Sequence, residues 1–227
     1  MGSKKNNLSF KIYSFYNSYV DDDVVINQQS VFKLFGYHIN QIKMDHFTHS
    51  SFLNMVTRSE TNVDFLLFFD IDCIPTSPET ITRLLFQILD HKTLAGAAQT
   101  ANHIDNGREL YIGPFFMGVS TRMLKNLGYP DMGAGLNHDV AQNLTTKVKE
   151  MKDSNIKFWW PTSVEDPKWD LYQSDLKFGL GTEYDNLVYH AFESRKMENS
   201  RFINKCKEVI GRCDNCASKT SKKVIIN

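Results

Sequence analysis

The chain lacks any apolar run of about 18 residues, the length a bilayer-crossing helix requires, so no segment reads as a membrane span. It also lacks an excess of either charge. Its 26 Lys and Arg balance 26 Asp and Glu, and no global field draws it to nucleic acid or an anionic membrane. Cysteine is scarce, and Cys73, Cys206, Cys213 and Cys216 are unevenly placed for a disulfide framework. The first residues, MGSKKNNLSF, have no apolar core of a signal peptide, and Asn6 stands where myristoylation wants Ser or Thr. These absences are read as a cytoplasmic, intracellular protein in a reducing setting. Cys206, Cys213 and Cys216 offer three ligands where a structural zinc site takes four, with no His nearby. Repeats, low-complexity segments and linkers are missing too. A length of 227 residues therefore reads as one domain spanning 1–227. Within it, 1–9 is expected to be a flexible end or tag remnant, and 206–227 a loosely attached tail.

What is present is an alternation of periods. KIYSFYN (11–17) reads as a first strand. VVINQQSVFKLFG comes next with helical spacing and Gly36 as its stop, then HINQIKM as a second strand and HSSFLNMVTRS as a second helix. VDFLLFFD is continuously apolar, as expected of a strand covered on both faces. SPETITRLLFQILDH is an amphipathic helix with Ser77 placed to cap it and Pro78 in its first turn. TLAGAAQT and YIGPFFMGVS read as strands, TRMLKNLG and HDVAQNLTTKVKEM as helices, and IKFWWPTSV as one further strand. Strand and helix alternating in this way imply an α/β domain with an open, mostly parallel sheet.

The apolar run FLLFF ends in Asp70-Ile71-Asp72. In open parallel sheets, ligands bind beyond the carboxyl ends of the strands. Alternation along an extended chain sends both carboxylates to one side, where they can converge on a hard cation, Mg²⁺ or Mn²⁺. An isolated D-x-D is more often a strand reaching solvent or a helix cap; position and neighbours favour the metal here.

LLFFDIDCIP resembles the metal-binding element of the GT-A-fold, D-x-D-containing, nucleotide-sugar-dependent glycosyltransferases. Three later segments resemble that family in its order. GPFFMGVSTRMLKNLGYPD (113–131) looks like the glycine-bearing strand, here with Gly118, and the turn that shape the sugar pocket. GLNHDVAQNLTTKVKE (135–150) is similar to the acidic pair that opens a helix, although His138 replaces the first acid. NLVYHAFESR (186–195) looks like the His-bearing segment that returns to the metal.

The resemblance implies a GT-A-like single domain with an open, mostly parallel, mixed central sheet flanked by helices. It implies a metal-dependent transfer of a sugar from a nucleoside-diphosphate sugar, UDP favoured, to a hydroxyl of a carbohydrate or glycan acceptor; inversion is read from Asp139 alone, and a retaining mechanism stays open. Asp72, Asp70 and His190 are then the Mn²⁺ or Mg²⁺ ligands, with Asp70 also in reach of the ribose. Tyr16, Asn17 and Asp45 hold the base and ribose, and Ser194 and Arg195 contact phosphate. Asp139 is the general base, a role compatible with capping the next helix. His138 and Gly118 border the substrate. Apart from the resemblance, His103, Asp105 and Arg108 lie in a polar loop after the fourth strand, placed to face sugar hydroxyls, and KFGLGTEYDN (177–186) reads as either a loop closing over the donor or an ordinary surface connection. Trp159, Trp160 and Trp169 either stack on the acceptor or fill the core.

Three rivals stand beside this reading. A haloacid-dehalogenase-like phosphatase also opens on D-x-D, but Ile74 stands where Thr or Val is wanted, and two βα units precede the motif. A sugar-nucleotide pyrophosphorylase would need a Gly-rich basic loop after the first strand, where FYNSYVDDDV is acidic. A non-catalytic nucleotide-sugar-binding domain is the third.

Overall fold

A computed structural model describes residues 8–104, 108–192 and 199–221, with 214–221 by backbone alone. Three βα units come first: β1 (Phe10–Tyr16), α1 (Asp22–Leu34), β2 (Ile39–Lys43), α2 (His49–Ser59), β3 (Phe65–Phe69), then a short β4 (Cys73–Pro75) and α3 (Glu79–Ile88). Local chemistry sets their ends. The Asp21 carboxylate accepts from the Asp23 amide at the start of α1, and Asp22 and Asp23 lie in its positive first turn. Gly36, at φ +79°, turns the chain out of α1 in a conformation that side chains resist. Thr48 caps α2 by accepting from the Ser51 amide. At α3 the Ser77 hydroxyl accepts from the Glu79 amide at 3.4 Å, and Pro78, with right-handed helical angles, leads into the first turn.

The chain continues through β5 (Thr93–Thr100), β6 (Leu110–Ser120), α4 (Thr121–Asn126), α5 (Gln142–Glu150) and β7 (Asn155–Trp159). Six strands form the central sheet in the order β2-β1-β3-β6-β5-β7. Its β1–β2, β1–β3 and β5–β7 pairs are parallel, and β6 runs against both its neighbours. This is the open, mostly parallel, mixed α/β sheet expected. Alternate residues of β3 face opposite layers. Phe65, Leu67 and Phe69 pack with Phe32 of α1 and Ile81, Leu84 and Ile88 of α3. Leu66 and Phe68 pack with Phe52, Leu53 and Val56 of α2 and Leu144 and Val148 of α5. Burial on both faces is why the run reads as unbroken apolar sequence.

A second sheet, β4-β10-β9-β8, is antiparallel throughout: β8 (Pro161–Asp170), β9 (Lys177–Tyr184) and β10 (Val188–His190). Two expectations change here. IKFWWPTSV is two strands, because Trp159 is anchored in the core against Phe116 while the next residue, Trp160, donates its amide to the Asp185 carboxylate. The chain then leaves the central sheet at Pro161 and joins the second one. KFGLGTEY is β9, not a loop. A Cβ on Gly179 would stand 2.2 Å from the Asp166 carbonyl, and one on Gly181 would stand 2.7 Å from the Tyr189 hydroxyl. Those glycines permit close strand approach rather than hinge motion. The last element, α6 (Ser200–Ser221), packs Phe202, Cys206 and Val209 against Val24 and Val31 of α1. The start of the expected loose tail is thus a buried helical face.

Candidate active site

β3 ends at Phe69, and the chain then turns instead of continuing as strand. The Cys73 amide donates to the Asp70 carbonyl at 2.9 Å, with Ile71 and Asp72 between them. Ile71 enters the core beside Val31, Ile74 and Phe202. The Asp70 amide is fixed by the Phe115 carbonyl of β6, 2.9 Å away. From α1, the fully buried Gln28 donates Nε2 to the carbonyls of Asp70 at 2.6 Å and Cys73 at 2.9 Å. Gln41 of β2 in turn donates to Gln28 Oε1 at 3.0 Å. Two polar side chains from neighbouring elements therefore clamp the turn.

Pairing of β10 with β4 sets His190 opposite Cys73, and the Ala191 amide donates to the Asp72 carbonyl at 3.0 Å. This brings His190 Nε2 to 3.1 Å from Asp72 Oδ1. The imidazole is stacked on Phe115 at 4.2 Å between centroids and edged by Phe192 at 3.9 Å. Asp72 is 7% exposed and His190 4%. One ligand atom from each of Asp70, Asp72 and His190 lies within 4.8 Å of the other two. On the open side, His49, the first residue of α2, places Nε2 3.2 Å from Asp70 Oδ1. Cys73 is not part of this cluster; complete burial, reinforced by the charges of Asp70 and Asp72, holds its thiol well above the usual range.

Next to this cluster is a cavity of about 440 Å³, lined by Gln99, Thr100, Asn102, His103, Asp139, Trp169, Phe178 and Phe192. Phe192 borders both, since it also edges His190. Asp139 is held on each oxygen: Oδ1 accepts from the Val140 amide at 2.8 Å and Oδ2 from the Tyr111 hydroxyl at 3.0 Å. Burial, with the Asp139 charge beside it, pushes the Tyr111 phenol well up, so it remains a donor. Asp139 does not cap α5. Ala141, in the left-handed region at φ 60°, precedes the first helical residue, Gln142, whose Oε1 accepts from the Asp139 amide.

The other expected residues divide. Asp45 Oδ1 accepts from both the amide and hydroxyl of Ser18 at 2.8 Å, and these bonds hold its carboxyl below the usual carboxylate range. The loops after β1 and β2 are thereby tied together. Asn17 Oδ1 accepts from the Tyr19 amide, and Tyr16 packs beside Val24, Val31 and Ile71. His138 is not among the residues lining the cavity and lies against Gly135, where an added Cβ would meet its ring at 2.3 Å. Gly118 faces α3: a Cβ there would meet Leu84 at 2.9 Å, so its smallness serves helix packing. His103 and Trp169 line the cavity, whereas Trp159 is core. Ser194, Arg195 and Asp105 lie outside the described residues. Among the described residues, Cys73, Cys206 and Cys213 are free, and burial pushes the Cys206 thiol up to about 12. No helix among the described residues is long and apolar enough to cross a membrane.

Gln28, His49 and Tyr111 were not legible as site residues. Gln28 sits in the polar stretch NQQS between the apolar residues of α1, 42 positions before its partner. Gln28→Leu leaves two inward-facing carbonyls without their donor and is expected to cost about 1–3 kcal/mol. Urea unfolding measures this; an unchanged midpoint would show that the turn holds without the clamp.

No family model matches the sequence, and no curated protein matches it either. Among solved structures, a Drosophila β1,4-galactosyltransferase 7 variant in complex with manganese, UDP-Gal and xylobiose aligns at 14% identity and TM-score 0.46. That alignment covers 82% of this chain and 72% of that one. A glycosyltransferase involved in glycosylating the major capsid of PBCV-1 aligns at 10% identity and TM-score 0.42, over 66% and 82%. A glucose-1-phosphate thymidylyltransferase from Bacillus anthracis aligns at 8% identity and TM-score 0.40, over 67% and 87%.

Proposed function

We propose that this chain is a metal-dependent, GT-A-like glycosyltransferase that moves a sugar from a nucleoside-diphosphate sugar, UDP favoured, to an acceptor hydroxyl with inversion. One observation carries the proposal. The Asp70–Asp72–His190 cluster stands beyond the carboxyl end of β3 and shares Phe192 with an aromatic cavity containing a fixed carboxylate, Asp139.

The donor set suits a divalent cation. Two carboxylates and an imidazole favour Mn²⁺ over Mg²⁺, and the buried His190 Nδ1 has no hydrogen-bond partner among the described residues, leaving the ring uncommitted on that side. Asp70, Asp72 and His190 would hold the ion. When bound, it supplies positive charge that stabilises a leaving diphosphate.

The rest is the work of the chain. Loops tied by Asp45 and Ser18 form the edge that receives base and ribose. Trp169, Phe178 and Phe192, with centroids 5.2 to 5.5 Å apart, provide apolar ring faces that suit a sugar and exclude water. Asp139 accepts the proton of the acceptor hydroxyl as the new bond forms.

Calorimetric titration with UDP and with GDP, each in Mn²⁺ and in EDTA, tests the reading. Binding of one nucleotide in Mn²⁺ and its loss in EDTA are expected. If neither binds in either condition, the proposal falls, and phosphate-monoester hydrolysis is the next activity to assay.

A further inference from the structure

His49 has no place in the ligand set and is not accounted for by the D-x-D turn. It heads α2, comes directly after the cap Thr48, and stacks its ring nearly parallel to that of buried Phe15, with an interplanar angle of 9° and centroids 6.2 Å apart. This stack directs Nε2 to within 3.2 Å of Asp70 Oδ1. Asp70 needs such a partner more than Asp72 does. The Asp72 side chain is 10% exposed and lies against His190, whereas that of Asp70 is 24% exposed at the open side of the turn. Gln28 and Phe115 fix the Asp70 backbone, but neither bond touches its carboxylate.

We infer that His49 is a positioning residue of the metal site: it holds the Asp70 carboxylate in the orientation that closes the three-residue cluster. This rests on the reading of that cluster as a metal site. Carboxylates that ligate metals depend on such outer contacts, and removing one typically weakens metal binding 10- to 100-fold. His49 itself is not among the atoms that converge within 4.8 Å, so its part is orientation rather than ligation. It also joins the edge loop after β2 to the D-x-D turn.

The test is titration of the protein with Mn²⁺ alone, reading free Mn²⁺ by electron paramagnetic resonance. His49→Phe keeps a flat ring for Phe15 and removes the nitrogen; its dissociation constant is expected to rise by about tenfold or more. His49→Gln keeps an N–H donor and is expected to stay near wild type. The metal-free melting temperature of both variants should match wild type. Wild-type affinity in His49→Phe overturns the inference, and so does equal weakening in both variants, which would mark a packing effect. Asp72→Ala run in parallel separates the two levels. If it binds Mn²⁺ as wild type does, the metal-site reading itself has failed, whatever His49 does.

Discussion

Asp72→Ala is expected to abolish metal-dependent nucleotide binding. Asp72 is the cluster member against which His190 is set, at 3.1 Å, and both groups are nearly shut off from water. Losing a contact to a ligand already costs 10- to 100-fold in metal affinity; losing a ligand should cost more, on the order of a hundredfold at least. The fold should survive. A backbone bond at this position runs from the Ala191 amide to the Asp72 carbonyl, and alanine keeps that carbonyl, while losing the carboxylate beside His190 Nε2 is expected to cost about 1–3 kcal/mol. Removing one of two neighbouring carboxylates also relieves like-charge repulsion in the metal-free protein. Calorimetry with UDP and Mn²⁺, beside a thermal melt, decides it. Wild-type affinity in the variant would place the metal elsewhere. Lost binding with a melt that stays cooperative would locate it here, and Asp72→Asn, which keeps the shape but not the charge, should retain only a fraction of the affinity.

The parts of the fold that could be read from sequence are those governed by short-range periodicity. α2 lies at His49–Ser59 and β5 at Thr93–Thr100, where the pattern puts them, because helix and strand spacing repeats within a few residues. The second sheet could not be read the same way. β8 is largely exposed, so it has no apolar alternation, and the glycines of β9 imitate a loop. Within the site, Asp70 and Asp72 stand out because two charges interrupt an apolar run. The reason they meet was not legible, since a turn clamped by Gln28 brings them together rather than strand alternation. Such contacts join residues tens of positions apart and leave no local signal. Gly118 shows the converse: its place beside a familiar motif suggested a pocket, but its close neighbour is Leu84 of α3.

Asp139→Asn is expected to lower turnover by about 10²- to 10⁴-fold, the range for loss of a positioned general base, which is about 3–5 kcal/mol of barrier. Nucleotide binding in Mn²⁺ should not change, because Asp139 lines the cavity and is not part of the metal cluster. The substitution is nearly isosteric, and an asparagine carbonyl can still accept from the Tyr111 hydroxyl. A loss of rate is therefore assignable to the missing base rather than to a collapsed cavity. Tyr111→Phe separates orientation from basicity. It removes the donor 3.0 Å from Oδ2 but leaves the carboxylate, so a smaller fall in rate is expected. Anomeric configuration of the product is the companion measurement. An inverted product with slow Asp139→Asn fits a base opposite the leaving group. A retained configuration with unimpaired Asp139→Asn would mean that the carboxylate only braces the segment before α5 through the Val140 amide and Tyr111, and the proton would have to leave by another route.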